Sequence, residues 1–306
     1  SLLLAIPRHS RRARSLQPRM ATAALRGAAR AAAVGGCRGR AVPLLARSAS
    51  TSKEAAQVAY ADESDWRRYL PETWAVRFWN RAMLQYEKYR GANRFPAKLT
   101  ICNSGTDFGV TLPRPDLVLH DDLAKGSQEW KMQLYGAALY WHMATTTGKD
   151  SRIADPDMLR GKDVLEVACM RGGGARYLAE VAGPQLYVGA DAAEDHVKAC
   201  RERHSAPPGL RFEVADLCNL SAHFPASSFD YVLCVEPGHL LEDAERFVAG
   251  VSHVLRPGGR LVFCDLLPND GLQKLLKGAE SSGLSVEVCA DISQAVVVAA
   301  LRSLPG

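Results

Sequence analysis

Residues 163–174 read DVLEVACMRGGG, and this stretch decides the fold. The apolar residues Val164, Leu165 and Val167, bounded by charge, predict a strand that is buried on both faces of a sheet. Glycines at 172–174 end the strand, and helical spacing of apolar residues follows from Ala175 to Val181. Backbone N–H groups at the start of such a helix can approach a ligand closely where side chains are absent. The same unit serves many ligands, so it does not identify one.

The rest of the chain alternates between apolar runs and amphipathic segments. It predicts strands at 185–190, 210–214, 229–235, 260–265 and 284–289, with helices at 194–203, 242–255, 271–282 and 292–302. Strands joined by helices of this length require a parallel sheet that is covered on both faces. We therefore predict an α/β fold whose ligand lies beyond the carboxyl ends of the strands.

Acidic residues stand at or near the end of each of five predicted strands. They are Glu166, Asp191, Asp216, Glu236 and Asp265. Acids in register along one sheet edge favour a ligand with several hydroxyl and amine donors and a positive charge, as S-adenosylmethionine (SAM) has. A dinucleotide would call for G-x-G-x-x-G, which the chain does not have at this loop. The alternative is that some of these acids only cap helices.

Composition and charge narrow the class of protein. The chain has 306 residues, of which 47% are hydrophobic and 23% charged, as in an ordinary globular protein. Its net charge of +5 comes from residues 1–53, which hold 11 of the 38 basic residues and no acid, so the remainder has 27 basic against 33 acidic residues. A mildly acidic body argues against nucleic acid as a partner. No uninterrupted run of about 18 apolar residues is present, so we expect no membrane span.

The basic segment 1–53 is rich in Ala, Arg and Ser, as organelle transit peptides are. We predict that it is disordered, that Met20 is the start of the natural protein, and that cleavage occurs near Ser48–Lys53. The Arg content favours the mitochondrion, with the chloroplast as the alternative destination. A disordered basic tail that is not cleaved is the other interpretation.

Residues 54–150 are predicted to form a helical extension, and residues 151–306 the ligand-binding domain. The helical pattern over about 54–99 is unusually aromatic, which indicates either packing against the main domain or a lid over an apolar substrate. A loop over about 101–124, rich in Gly and Pro, separates it from a helix at about 127–146.

The eight cysteines are dispersed and predict no metal site. No C-x-x-C pair and no His–Cys spacing suits zinc. Several cysteines lie inside apolar strand patterns, so we expect them to be small buried hydrophobes with free thiols.

Five segments together resemble the class I SAM-dependent methyltransferases. They are VLEVACMRGGGARYL, YVGADAAEDHVKACRERH, LRFEVADLCNL, SFDYVLCVEPGHLL and VLRPGGRLVFCDL. The runs GGGARYL, CRERH, VEPGHLL and DLLPND are most similar to phthiotriol/phenolphthiotriol dimycocerosates methyltransferases and neighbouring small-molecule O- and C-methyltransferases. The resemblance covers about residues 133–300. It implies a Rossmann-like, mostly parallel sheet with helices on both faces, and SAM as the cofactor.

The resemblance also implies which residues bind the cofactor. These are Glu166, Ala168, Cys169, Met170, Gly172, Asp191, Asp216, Leu217 and Glu236. Glu166 and the Gly172 loop would hold the methionine end, and Asp191 would accept from the ribose hydroxyls. Asp216 would accept from the adenine amino group, with the Leu217 backbone N–H at the ring.

A catalytic pair is implied as well. His239 occupies the place of a histidine that, in similar sugar and lipid O-methyltransferases, pairs with an acid at the end of the fifth parallel strand, here Asp265. Methyl transfer depends mainly on alignment of the reacting atoms. For an alcohol acceptor, a His–carboxylate pair can add general-base help of roughly 10²–10⁴-fold. A loop histidine that bonds only to backbone is the competing interpretation.

The chain departs from the family pattern in three ways. The pattern acid-x-Gly-x-Gly-x-Gly has Ala168 and Met170 in place of its first two glycines, and a positive φ at Met170 would cost about 1 kcal/mol. The turn Glu236–His239 replaces a Ser-rich turn. The antiparallel seventh strand is predicted to be missing, so that either the sequence is a fragment or the sheet has six strands and an uncovered edge.

Two hypotheses about function follow. The first is SAM-dependent methyl transfer to an oxygen, or less readily a carbon, of a small apolar or lipid-like acceptor. The second is a catalytically inactive methyltransferase-like protein that serves as an organellar subunit or assembly factor. The acids at 166, 191 and 216 favour the first, and Met170 with the missing strand favours the second.

Overall fold

A computed structural model of the chain describes residues 2–7, 99–103, 105–107, 109, 111–119, 123–146, 155–204, 207–237, 243–265 and 269–303. The aromatic segment predicted at 54–99 therefore lies outside the described residues except for Leu99, and so does the predicted transit peptide except for residues 2–7.

Seven strands and seven α-helices make up the described part of the chain. The strands are β1 Leu2–Pro7, β2 Asp163–Val167, β3 Leu186–Asp191, β4 Leu210–Val214, β5 Phe229–Val235, β6 Leu255–Asp265 and β7 Val288–Asp291. The helices are α1 Gln128–Thr145, α2 Gly173–Val181, α3 Glu194–Arg203, α4 Leu220–His223, α5 Ala244–Val254, α6 Asn269–Ser281 and α7 Ser293–Ser303. Short 3₁₀ turns lie at Pro115–Leu117 and Leu217–Asn219.

One sheet contains all seven strands, in the order β4-β3-β2-β5-β6-β1-β7. Strands β2 to β6 are parallel to one another, which confirms the predicted α/β sheet. The chain moves outward in one direction from β2 to β4 and in the other from β5 to β6. The switch point therefore lies between β2 and β5, where ligands of such sheets bind beyond the carboxyl ends of the strands.

The expectation of a missing antiparallel strand is wrong. Strand β1 lies between β6 and β7 and is antiparallel to both, pairing Leu2 with Asp265 on one side and with Asp291 on the other. Part of the segment predicted to be disordered is thus an interior strand. The apolar run LLLAI carries an ordinary strand pattern. The basic composition of the 53-residue segment outweighed this run in the prediction.

Local sequence explains where the helices begin. Ser127 accepts a hydrogen bond from the Trp130 N–H and starts α1, and Asp243 does the same for the Arg246 N–H at the start of α5.

Strand β6 begins five residues before its predicted start, because Leu255 already pairs with Phe229 and the ladder resumes after an irregularity at Arg260. The intervening Pro–Gly–Gly, which predicts a turn, is accommodated within the strand.

A buried carboxyl group joins α1 to the sheet. Glu166, one residue before the end of β2, accepts from the Tyr140 hydroxyl and from the Tyr187 hydroxyl, both at 2.7 Å. All three side chains are buried. The Tyr140 ring lies where a Cβ on Gly174 would be, with its carbon atoms 2.0–2.4 Å from that position. The third glycine of the loop is therefore required by the packing of α1.

A short segment that precedes α1 covers the start of α2. The Gly173 N–H donates to the Thr100 carbonyl at 3.1 Å, and a Cβ on Gly173 would lie 2.5 Å from that residue's backbone. The buried amide of Gln133 on α1 accepts from the Thr100 and Ile101 N–H groups and donates to the Ile101 carbonyl. Residues 100–101 are thus held between α1 and the glycine loop.

The described helices include none that is long and apolar enough to cross a membrane.

Of the cysteines, Cys169, Cys200, Cys234 and Cys264 are buried and have free thiols, which confirms their predicted role as small hydrophobes.

Replacement of Glu166 by glutamine should stabilise the protein at neutral and alkaline pH but not in acid. Burial is the main cause that raises the pKa of Glu166 to about 7, although the two tyrosine hydrogen bonds oppose it. The stabilising protonated form is fully present below the ordinary pKa and is lost as the pH rises through 7. Because one unit of pKa shift corresponds to about 1.4 kcal/mol, the advantage of E166Q should grow by on the order of 3 kcal/mol between pH 4.5 and pH 8.

Urea unfolding at several pH values measures this difference. E213Q, which changes an acid on the edge strand β4, serves as the matched control and should follow the wild type. A difference between E166Q and wild type that stays constant from pH 4.5 to pH 8 would contradict the assignment of the buried carboxyl.

Candidate functional site

The acids predicted to share one edge do follow the carboxyl ends of neighbouring strands. Asp191 and Asp265 are the last residues of β3 and β6, Glu236 follows β5 directly, and Asp216 lies two residues beyond β4. Glu166 is the exception, because it lies one residue inside β2. Four of the five acids therefore lie at the edge of the sheet that is formed by the carboxyl ends of the parallel strands.

The loop after β2 turns through three left-handed residues. Ala168, Met170 and Gly172 have φ values of 57°, 48° and 72°. These are the places of the three glycines in the pattern that the chain resembles, and all three have the left-handed conformation that favours glycine. The left-handed conformation costs a residue with a Cβ roughly 1–2 kcal/mol, so the loop is strained at Ala168 and Met170.

Glycine is necessary at the third place for a second reason. A Cβ on Gly172 would lie 2.8 Å from the Cys200 sulfur and 2.8 Å from the Phe212 ring. The Cys200 thiol also donates to the Met170 carbonyl at 3.2 Å, so α3 packs directly beneath the loop. Cys169 is buried beside them, so its side chain packs in the core.

Asp191 fixes the loop to the start of α3. Its Oδ2 accepts from the Met170 N–H at 2.8 Å and its Oδ1 from the Ala193 N–H at 2.9 Å. Burial acts to raise the pKa of Asp191, but hydrogen bonds from His196, Ala193 and Met170 together lower it below its ordinary value. The carboxylate is therefore ionised at neutral pH, at the position where the ribose-binding acid was predicted.

His196 lies beside this carboxylate and was not identified from the sequence. Its Nδ1 is 3.2 Å from the Asp191 Oδ1. The hydrogen bond to Asp191 raises the pKa of His196, although partial burial opposes it. In the sequence, His196 shows only as a histidine in the first turn of the helix that follows a strand-end acid. This pattern alone indicates no particular function.

Asp216 lies on the surface at the next strand end. Its Oδ1 accepts from the Cys218 N–H at 2.9 Å and caps the 3₁₀ turn Leu217–Asn219. The alternative that some of these acids cap helices therefore applies here. Capping engages one oxygen of an exposed carboxylate, and Leu217 is buried behind it.

Glu166 is placed differently from its prediction. Both of its oxygens accept from tyrosine hydroxyls in the interior, and the residue is only 1% exposed. The carboxyl group is enclosed between the two tyrosines, so it presents no exposed surface to the methionine end of a cofactor. The geometry gives Glu166 the role of supporting the sheet beneath the loop, through Tyr140 and Tyr187.

The predicted catalytic pair is described in part. Asp265 is buried at the end of β6, and beside it the Glu236 N–H donates to the Cys264 carbonyl at 2.7 Å. Glu236 itself has a φ of 54°, which marks a sharp turn out of β5. His239 lies outside the described residues, so its pairing with Asp265 stays a prediction.

The residues at this edge fit SAM in part. An ionised, largely buried carboxylate at Asp191 suits a pair of ribose hydroxyls, and the exposed carboxylate of Asp216 lies at the next strand end. No cluster of His, Cys, Asp and Glu in the described ranges could hold a metal ion. The carboxylate oxygens at these strand ends suit the hydroxyl and amino donors of a nucleoside.

Comparison with known proteins finds matches to methyltransferases. Residues 164–259 match a protein-family model described as a methyltransferase domain. The phthiotriol/phenolphthiotriol dimycocerosates methyltransferase of Mycobacterium tuberculosis is 46% identical over 112 residues, which are 37% of this chain and 40% of that protein. The fatty-acid O-methyltransferase of Mycolicibacterium smegmatis is 44% identical over 110 residues, which are 36% of this chain and 39% of that protein. The chain thus spans about two fifths of the length of these curated relatives.

Solved structures resemble the chain over a similar span. A SAM-dependent methyltransferase from Aquifex aeolicus has 17% identity and a TM-score of 0.36, covering 40% of this chain and 72% of that chain. The trans-methyltransferase CalH in complex with SAH has 22% identity and a TM-score of 0.33, covering 42% of this chain and 40% of that chain. Residues 164–259 therefore match a methyltransferase domain, and they lie in a parallel sheet whose first loop turns through left-handed residues.

Proposed function

We propose that the protein transfers the methyl group of SAM to an oxygen, and less readily to a carbon, of a small apolar or lipid-like acceptor. The observation that carries the proposal is the ionised carboxylate of Asp191, which ends β3 and holds the loop turn through the Met170 N–H. The family match over residues 164–259 supports the reaction, and the names of the mycobacterial relatives support the acceptor class.

The cofactor would be held by residues from successive strand ends. Asp191 would accept from the ribose hydroxyls, and Asp216 with the Leu217 backbone would contact the adenine. The loop Ala168–Gly172 would cover the methionine end. SAM supplies a methyl group on a positively charged sulfonium. The remaining task of the chain is to align the acceptor and to receive its proton.

His239 and Asp265 are proposed to receive that proton. An alcohol or carboxylic acid becomes a better nucleophile when a base holds its proton, and a buried carboxylate can orient a histidine for this purpose. Asp265 is buried at the end of β6, the strand next to β5 in the sheet. A carboxylic acid acceptor would already be ionised at neutral pH, so it would gain little from this pair.

The acceptor class is inferred from two relatives whose names share a chemical feature. A dimycocerosate and a fatty acid both carry long apolar chains, and one of the relatives is named for transfer to oxygen.

Asp191→Asn should weaken the binding of S-adenosylhomocysteine. The change removes the carboxylate that would accept hydrogen bonds from the ribose hydroxyls. Because a hydrogen bond to a charged group is worth roughly 2 kcal/mol, the affinity should fall about 30-fold. Titration calorimetry measures it, with E194Q on the first turn of α3 as the matched control. Thermal unfolding without ligand confirms that each variant is folded. Binding by D191N within threefold of wild type would contradict the assigned role.

Met170→Gly distinguishes the active protein from an inactive relative of the fold. Because Met170 already has a left-handed φ, glycine relieves about 1 kcal/mol of strain and should change the affinity for S-adenosylhomocysteine less than tenfold. R171G carries the same glycine at a position without a positive φ, so it should be less stable than M170G. A wild type that fails to bind while M170G binds would show that Met170 blocks the site, as the inactive alternative requires.

Methyl transfer to acceptors of increasing chain length tests the reaction itself. With labelled SAM, we expect turnover to rise from short to long fatty acids and long-chain alcohols. H239Q should reduce kcat for the alcohols about 10²-fold or more and should change kcat for the fatty acids much less, because only the alcohols need a base. Equal losses with both acceptors would remove His239 from proton transfer, and no turnover by a protein that binds SAM would favour the inactive alternative.

A further inference from the structure

The ring of His196 lies against one oxygen of the Asp191 carboxylate. Its Nδ1 lies 3.2 Å from the Asp191 Oδ1, and its side chain is 41% exposed, whereas that of Asp191 is only 10% exposed. The histidine can therefore move into solvent at little cost, while the carboxylate is held in place. The pair joins a fixed acceptor to a movable donor.

The hydrogen bonds of Asp191 show why this matters. A carboxylate has about four lone-pair sites, two on each oxygen. Oδ2 accepts from the Met170 N–H, which leaves one site on that oxygen. Oδ1 accepts from the Ala193 N–H and also faces the Nδ1 of His196. Two neighbouring hydroxyls that bind one carboxylate need a site on each oxygen, so the second hydroxyl and His196 require the same position.

We propose that His196 is a gate on cofactor binding, which must leave the Asp191 Oδ1 before both ribose hydroxyls can bind, and that protonation of its ring closes the gate. The inference rests on the proposed function, because it concerns the same carboxylate. It adds a positioning residue and a pH dependence that the family match does not specify.

The charged groups around His196 set the direction of the effect. Asp191 at the end of β3 and Asp195 on α3 both raise the pKa of His196, with the Asp191 hydrogen bond the largest cause, while partial burial and Arg171 in the loop lower it. The pKa of Asp191 is lowered, so this carboxylate stays ionised over the same range.

The sign of the pH dependence follows from the pair. Below the raised pKa of His196, the ring is charged and donates to Asp191, so the ribose must displace a charged hydrogen bond. Above it, the neutral ring can present an Nδ1 lone pair, which has no attraction to a carboxylate oxygen. Cofactor affinity should therefore fall as the pH falls, and binding to the protonated form should release one proton to solvent.

Three variants separate the charge of His196 from its hydrogen bond. H196A removes both. H196N places an uncharged N–H donor near the position of Nδ1. H253A, in the last turn of α5 at the opposite edge of the sheet, is the matched control for loss of a histidine. His196 is half exposed, so these variants should fold, and thermal unfolding at each pH verifies it.

The experiment is titration calorimetry from pH 5.5 to pH 7.5 on the full chain. The probes are S-adenosylhomocysteine and 5′-methylthioadenosine, which keeps the ribose and adenine but lacks the titratable amino-acid end. Two buffers of different ionisation enthalpy give the number of protons released. We expect the affinity of wild type and H253A to fall about tenfold from pH 7.5 to pH 5.5. H196A should change less than twofold, and H196N should be uniformly weaker than H196A without a pH dependence.

The outcomes that overturn the gate differ from those that overturn the proposed function. If wild type binds 5′-methylthioadenosine with an affinity that is constant over this range, or if H196A keeps the dependence of wild type, His196 is not a gate. If no folded variant binds either nucleoside at any pH, the cofactor assignment fails, and the gate fails with it.

Discussion

The site depends on the carboxylate of Asp191, which holds two backbone segments at the end of β3. One oxygen fixes the Met170 N–H in the loop after β2, and the other fixes the Ala193 N–H before α3. The loop has two strained residues, Ala168 and Met170, that glycine would relieve. A charged hydrogen bond to the backbone within the strained turn offsets part of that strain, at roughly 1.5–3 kcal/mol. The turn can therefore form with Ala168 and Met170 in place of glycine, because contacts with neighbouring segments stabilise it.

Glycine is needed at 172–174 for a different reason from the one that the sequence pattern suggests. Gly172 admits the Cys200 sulfur and the Phe212 ring, and Gly174 admits the Tyr140 ring. At Gly173 the neighbour is the backbone of Thr100. A glycine-rich loop was expected to let a ligand approach, whereas here all three glycines let the protein's own segments approach. Packing around the loop therefore determines these residues even before a ligand is considered.

Much of the sheet could be predicted from the sequence, because β2, β3, β4 and β5 are apolar runs with clear breaks and helical periods between them. Strand β1 could not, since its pattern stands inside a segment of leader-like composition. In the site, Asp191 was predictable as a strand-end acid. The enclosure of Glu166 was not, because its partners Tyr140 and Tyr187 lie 26 and 21 residues away and share no local pattern with it. Contacts between distant segments leave no periodic signal in one sequence.

The position of β1 has a consequence for the order in which the sheet assembles. Its pairs with β6 extend from Leu2 with Asp265 to Pro7 with Arg260, so every pair closes a loop of more than 250 residues. Closing such a loop costs chain entropy that no local contact repays in advance, and contacts of this range form slowly. The parallel strands β2 to β5 and their helices involve much shorter separations. During synthesis, the half of the sheet that contains the candidate site can therefore form first, while β6 keeps an unpaired edge until β1 pairs with it.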